Sequence, residues 1–215
     1  MNTGQNTTAN KKEKPSIRML LRHATHQYHV QLNHRPLLVC ITQPNYNLAN
    51  YHKLLFSYFH LYNALESLIT ELLGRQYAIF DYEKRYKLAW LIDDLAYMHQ
   101  DYPPLSFSLN LPTLKTVGQL VGILYVIEGS ILGGQMISRS LNEHHGLTRK
   151  TGARFFYGYG ENTAMMWQNF IDFADGISGD EIQCRADEEA ACQTFQLFNQ
   201  VLENCVQQAH TSDLA

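Results

Sequence analysis

Four residues near the N-terminus, Arg18, Arg22, Thr25 and His29, fall within about 60° of one another when each position is turned by about 100° around a helix axis. Ile17, Leu21, Ala24, Tyr28 and Leu32 occupy the neighbouring sector. His29 therefore stands at the border of an apolar stripe, with both arginines on its side. A flat, mostly apolar ligand carrying carboxylates at one edge suits that arrangement; a histidine at the edge of an ordinary core is the plainer alternative. A second cluster lies about a hundred residues on, where Gly118, Gly122, Gly129, Gly133 and Gly134 share one helical segment. Each interior glycine costs about 0.5–1 kcal/mol relative to alanine. Something must offset that cost: a kink, close helix packing, or direct approach of the backbone to a ligand.

The elements that must carry these residues read as helices almost throughout. Ser16 is placed to cap a first helix running to about Asn33, ended before Pro36 and Pro44. Tyr51, Leu54, Leu55, Tyr58, Tyr62, Leu65, Ile69 and Leu72 form the buried stripe of a second helix from about Asn47 to Leu73, with Gly74 as its stop. Asp81 is expected to open a third helix, closed before Pro103. A long fourth segment runs from near Pro112 to His145, with Gly146 after it. Phe155 to Gly160 reads as a connector, helical spacing resumes from Asn162 to Ala174, and Ser178-Gly-Asp-Glu181 has the S-x-x-E capping pattern for a last helix reaching about His210. No two-residue alternation and no repeat is visible. The fold class is all-α, with one helical domain over 16–210 and polar tails at 1–15 and 211–215.

Composition narrows the function. Hydrophobic residues make up 45% of the 215 and charged residues 17%, a globular balance. Seventeen Lys/Arg against 20 Asp/Glu leave a net charge of −3, which argues against nucleic acid as a partner. The apolar run Val117 to Ile127 stops at Glu128, short of the roughly 20 residues of a membrane span. No secretory pattern and no C-terminal apolar anchor are visible, so the expectation is a soluble, cytoplasmic protein without a membrane partner. Cys40, Cys184, Cys192 and Cys205 lack metal-site spacing and read as small core residues.

Two motifs together resemble the heme oxygenase family. Leu21-Arg22-His23-Ala24-Thr25-His26-Gln27-Tyr28-His29 is similar to its L-[KR]-x-x-T-x-x-x-H proximal-helix pattern. Leu124-Tyr125-Val126-Ile127-Glu128-Gly129-Ser130-Ile131-Leu132-Gly133-Gly134 resembles the LYVLEGSxLGG distal helix of the bacterial, biliverdin-producing branch, some members of which serve bacteriophytochromes. The likeness extends more loosely through Phe156–Gly160, Trp167–Phe170 and Ala191-x-x-x-Phe195, covering about 16–205.

The resemblance implies a helical bundle holding heme b, iron protoporphyrin IX, between a proximal N-terminal helix and a kinked, glycine-rich distal helix. It implies oxidative opening of heme by O2 and reductant to biliverdin, CO and free iron, with heme as both cofactor and substrate. One face must supply a single neutral imidazole while the other stays open to oxygen. His29 is the implied iron ligand; Gly129, Ser130, Gly133 and Gly134 are the implied oxygen-side wall. Arg22 is implied toward a propionate, with Thr25, His26 and Phe195 completing the cofactor contacts. Glu128 is read as structural rather than as a catalytic base. The implied partners are an electron donor of ferredoxin or flavoprotein reductase type and a bacteriophytochrome as bilin acceptor.

Two positions depart from relatives. Asn33 stands where many carry a carboxylate behind the proximal histidine; an amide is the weaker acceptor, which gives the imidazole less imidazolate character. Ser130 stands where animal enzymes carry an aspartate, so ordered water and backbone groups must do more at the oxygen face. A heme-binding protein that stores, carries or senses heme shares every binding residue. A di-iron carboxylate oxygenase would need an E-x-x-H pair, and the chain has none. A helical interaction module gives no reason for the clustered glycines.

Overall fold

The structure is a computed structural model. It describes residues 16–75, 79–99, 104–177 and 181–212. These contain helices and 3-10 turns and no strand: α1 (Ile17–Asn33), α2 (Leu48–Arg75), α3 (Leu88–Tyr97), α4 (Val117–His145), the short α5 (Arg154–Tyr157), α6 (Thr163–Ile177) and α7 (Glu181–Ser212). The expected tail at 1–15, residues 213–215 and the Ser178-Gly-Asp start of the last capping pattern lie outside the described residues, while α7 continues through 211–212, which were expected to be tail.

In α1, Ile17, Leu21 and Leu32 are buried and Ala24 and Tyr28 half-buried, the stripe that the spacing predicts; Thr25, which the spacing puts in the sector of His29, is buried as well. Ser16 takes the N-cap position in extended conformation, but its side chain makes no capping bond; its carbonyl accepts from Met19 and Leu20. α2 buries the expected residues and runs through Gly74 to Arg75 rather than stopping before it.

Two helix starts differ from the sequence expectation, each for an identifiable reason. Asp81 does not open a helix: it holds Lys84 beside a 3-10 turn at Glu83–Arg85. α3 begins at Leu88, where the Lys87 and Leu88 N–H groups donate to the Glu66 carboxylate at 2.7 and 3.2 Å. The cap comes from α2 across the fold, which no local pattern announces. α4 begins at Val117, not near Pro112, because Thr116 and Gln119 form a reciprocal capping box. Its end matches expectation: Gly146 adopts φ +67°, a left-handed C-cap that favours glycine. α5 is also capped from afar, with Asp94 of α3 accepting from the Arg154 and Phe155 N–H groups at 2.6 and 2.8 Å.

α4 is the spine. By length and composition it could cross a membrane, the one such helix among the described residues. It is instead packed against α5, α6 and α7, while α1 lies along α7 and α2 along α3 and α7. Gly122 marks the closest crossing: a Cβ there would run into the Asp187 carbonyl and come within 2.8 Å of the Ala191 nitrogen on α7. Cys205 is buried as expected, but Cys40 is exposed and Cys184 and Cys192 only half-buried, so the core reading holds for one of the four.

Candidate functional site

His29 projects from the exposed border of α1, one turn beyond the buried Thr25. The Phe195 ring of α7 meets its imidazole edge to face at 5.8 Å between centroids. Partial burial, and then the nearby His26, lower the His29 pKa, so the ring is neutral at neutral pH. Its Nδ1 lies 3.5 Å from the Asn33 side-chain nitrogen one turn on. Turning that amide over would present its carbonyl oxygen to an Nδ1–H and leave the Nε2 lone pair free.

α1 meets α4 through Thr25, whose hydroxyl donates to the Leu21 carbonyl at 2.6 Å and also makes a hydrogen bond with the Tyr125 phenol. Burial raises the Tyr125 pKa, while the charges of Arg18 and Arg22 pull it down, which puts both guanidiniums near this junction. Arg22 and His26 also line an open groove of about 510 Å³ along α1, together with Met19 and His23. His29 does not line that groove, so the α1 candidates divide between two faces.

The α4 glycines divide in the same way. Gly134 is pressed against α5: an added Cβ would sit 3.1 Å from the Phe156 carbonyl. Gly122 and Gly134 are thus explained by packing. At Gly129 a Cβ would make ordinary contact with the Trp167 ring of α6, at 3.6 Å. At Gly133 it would meet nothing within 4 Å. Trp167 also packs on Tyr125, at 5.9 Å between centroids, and its buried indole N–H has no hydrogen-bond partner.

Ser130 donates to the Ile127 carbonyl at 2.9 Å and stands 3.1 Å from the Tyr62 hydroxyl of α2. With its own proton on Ile127, the Ser130 oxygen accepts from Tyr62. Burial holds the Tyr62 pKa well above the usual phenol value, so this residue stays a neutral donor.

Behind the glycine step lies a buried polar cluster. Glu128 accepts from Lys87 Nζ at 2.7 Å and Arg85 Nη1 at 2.8 Å, and from the Tyr159 hydroxyl at 3.1 Å on both carboxylate oxygens. Lys87 also donates to the Arg85 carbonyl, and Arg85 to the Met166 carbonyl. Glu128 is therefore an anchor between the 3-10 turn and α4, with its lone pairs committed. The structural reading of Glu128 stands, and no free carboxylate base is offered there.

Of the sequence candidates, His29 and Phe195 are in contact and Thr25 joins α1 to α4, while Gly129, Ser130 and Gly133 follow one another along α4. From sequence Tyr62 is only a stripe residue, and Tyr125 and Trp167 only parts of the quoted motifs, with no role of their own. The partners that distinguish them come from other helices.

Residues 110–204, which contain α4, match the heme oxygenase family model. No curated protein matches the chain. The fold is similar to that of a heme oxygenase from Neisseria meningitidis solved with NO and CO bound: 19% identity, TM-score 0.75, over 90% of this chain and 94% of that one. It is similar also to the heme oxygenase of Leptospira interrogans, at 15% identity and TM-score 0.72 over 87% and 98%. Heme oxygenase-2 of Synechocystis, in complex with heme and NO, matches at 17% identity and TM-score 0.72 over 93% and 91%. The all-helical chain has the heme oxygenase fold. Its α4-containing segment carries the sequence pattern of that family.

Proposed function

We propose that the protein is a heme oxygenase of the bacterial, biliverdin-producing branch, opening heme b with O2 and reductant to biliverdin, CO and free iron. The observation that carries the reading is Gly133. Two other glycines of α4 are demanded by neighbouring protein, whereas nothing in the protein demands glycine at this one. A planar ligand lying on the helix backbone does. The neutral imidazole of His29 and the partnerless indole N–H of Trp167 beside Gly129 also fit such a group.

When bound, heme supplies both the iron at which oxygen is activated and the meso carbon that is attacked. His29 would hold the iron through a neutral nitrogen, and Phe195, packed on its edge, restricts rotation of the ring. Thr25 fixes α1 against Tyr125 and so sets the separation of the two helices. Arg22, which lies near Tyr125 as well as lining the α1 groove with His26, would be the cation available to a propionate. Gly129 and Gly133 would keep the oxygen side free of side chains, whereas Gly134 is taken up by packing against Phe156. Ser130 and Tyr62 form a short hydroxyl chain at that wall, which would orient a water through neutral hydrogen bonds. An electron donor of ferredoxin or flavoprotein reductase type, a cytoplasmic setting and delivery of the bilin to a bacteriophytochrome belong to the same proposal.

The test is anaerobic titration with heme, then addition of oxygen and reductant. One heme per chain, followed by loss of the Soret band and growth of a bilin spectrum, is the expected result. Stoichiometric binding with a persistent Soret band would make the protein a heme carrier or sensor instead. Failure to bind heme would overturn both readings. His29→Ala should lose the native ferric spectrum and regain part of it with added imidazole.

A further inference from the structure

Away from the His29 face, a groove of about 1050 Å³ opens between α3, α5 and the start of α6. Its floor and walls are aromatic: Trp90, Tyr157 and Tyr159, with Met165 at the edge. Arg154 lies over the Trp90 ring, 4.3 Å from its centroid, and Arg149 lies 5.4 Å from the centroid of Tyr157. Arg149 and Lys150 are exposed on the 146–153 loop, and neither these two nor Arg154 forms an ion pair among the described residues. Glu83 and Glu161 also line the groove; Asp93 and Asp94 attract Arg154, though Asp94 spends its oxygens on the α5 N–H groups. Lys84 is already held by Asp81.

Arg149 and Lys150, without an ion pair among the described residues and set at the lip of a groove with aromatic walls, recognise a flat ring system and anionic groups at once, while Arg154 is engaged by the Gly158 carbonyl and by Asp93 and Asp94. We infer that this groove is a second ligand site, for a planar aromatic molecule bearing carboxylate or phosphate groups. Two sources share that chemistry: an open-chain tetrapyrrole dicarboxylate and a flavin nucleotide. The groove stands on its own residues; only the tetrapyrrole source rests on the proposed function.

The site is also wired to α4. Tyr159, which lines the groove, places its hydroxyl on both oxygens of Glu128, and Glu128 immediately precedes Gly129. A ligand that displaces the Tyr159 ring therefore changes what Glu128 holds at the glycine step.

The experiment titrates the full chain with biliverdin and with FMN in separate calorimetric runs, before and after loading with one heme per chain. Loading keeps the His29 face from competing. Saturable one-to-one binding of either probe is expected. It should weaken about tenfold or more in the double variant Arg149→Glu, Lys150→Glu, the size of a lost charge-assisted contact. Both residues are exposed, so the variant should melt like the parent and take up heme equally well. Binding of FMN alone identifies a nucleotide site, and binding of biliverdin alone a tetrapyrrole site. Lack of saturation by both at about 1 mM, a concentration that would reveal even weak sites, overturns the inference. So does equal affinity in the double variant. If heme loading fails, the unloaded titrations still decide the groove, while the functional proposal falls separately.

Discussion

Replacing Glu128 with glutamine tests the anchor behind the glycine step. The wild-type side chain is 1% exposed, between Arg85 at 4% and Lys87 at 0%. Glutamine keeps the shape but removes the charge, leaving two buried cations to share one neutral carbonyl oxygen. Breaking a buried ion pair by removing one partner costs about 3–5 kcal/mol. For a chain of this length each kcal/mol lowers Tm by about 2–4 °C, so the expected drop is roughly 6–20 °C. Circular dichroism melts of the unliganded protein measure it directly. Asp81→Asn, which breaks the exposed Asp81–Lys84 pair, is the control and should leave Tm unmoved. Adding Lys87→Met to Glu128→Gln should recover part of the loss, because one of the stranded charges is gone. A Glu128→Gln protein melting within about 2 °C of the parent, well below the range for an uncompensated buried charge, would refute the reasoning. The cations would then be compensated by other groups, not held by this carboxylate.

The α4 glycines should separate under substitution. Gly122→Ala pushes a methyl into the α7 backbone and should lower stability by about 1–3 kcal/mol, whereas Gly133→Ala has open space and should raise it by about 0.5–1 kcal/mol in urea titrations. Gly133→Leu should fold and bind ferric heme yet lose bilin formation; wild-type turnover in that variant would return Gly133 to a bland role. Because the folded-state pKa of His29 is lowered, the unfolded chain binds more protons here just below about pH 6.5, and stability from this group rises with pH through that window. Heme affinity should accordingly be flat above about pH 6.5 and fall below it; a steady rise across pH 7–8 would point to a charged ring. Burial raises Asp94 to about 6 in the fold, over the opposing α5 N–H bonds, so its contribution is greatest in acid and declines as pH climbs from about 4 to about 6. The difference in urea midpoint between wild type and Asp94→Asn should shrink over that interval.

The sequence by itself determined the long helices and which face each buries, though not the starts of α3 and α4 or the short α5. In α1 and α2 the spacing of Leu21, Leu32, Leu54, Leu55 and Leu65 leaves one solution for burying apolar area, and the structure adopts it. It also marked His29 and the glycine run, because a histidine at the edge of a stripe and glycines inside a helix are local anomalies that need no partner to be seen. What the anomalies mean was decided by tertiary structure. Gly122 and Gly134 meet protein and Gly133 does not, a distinction that depends on α7 and α5 and leaves no trace in the run itself. The starts of α3 and α5 are set by carboxylates more than 20 residues away, Glu66 and Asp94. The ion cluster around Glu128 joins residues 41 and 43 positions apart. A period records which way a side chain points. The identity of the group it meets is a property of the packed chain, since burial makes an unpaired donor or charge too costly to leave and long-range partners must then be found.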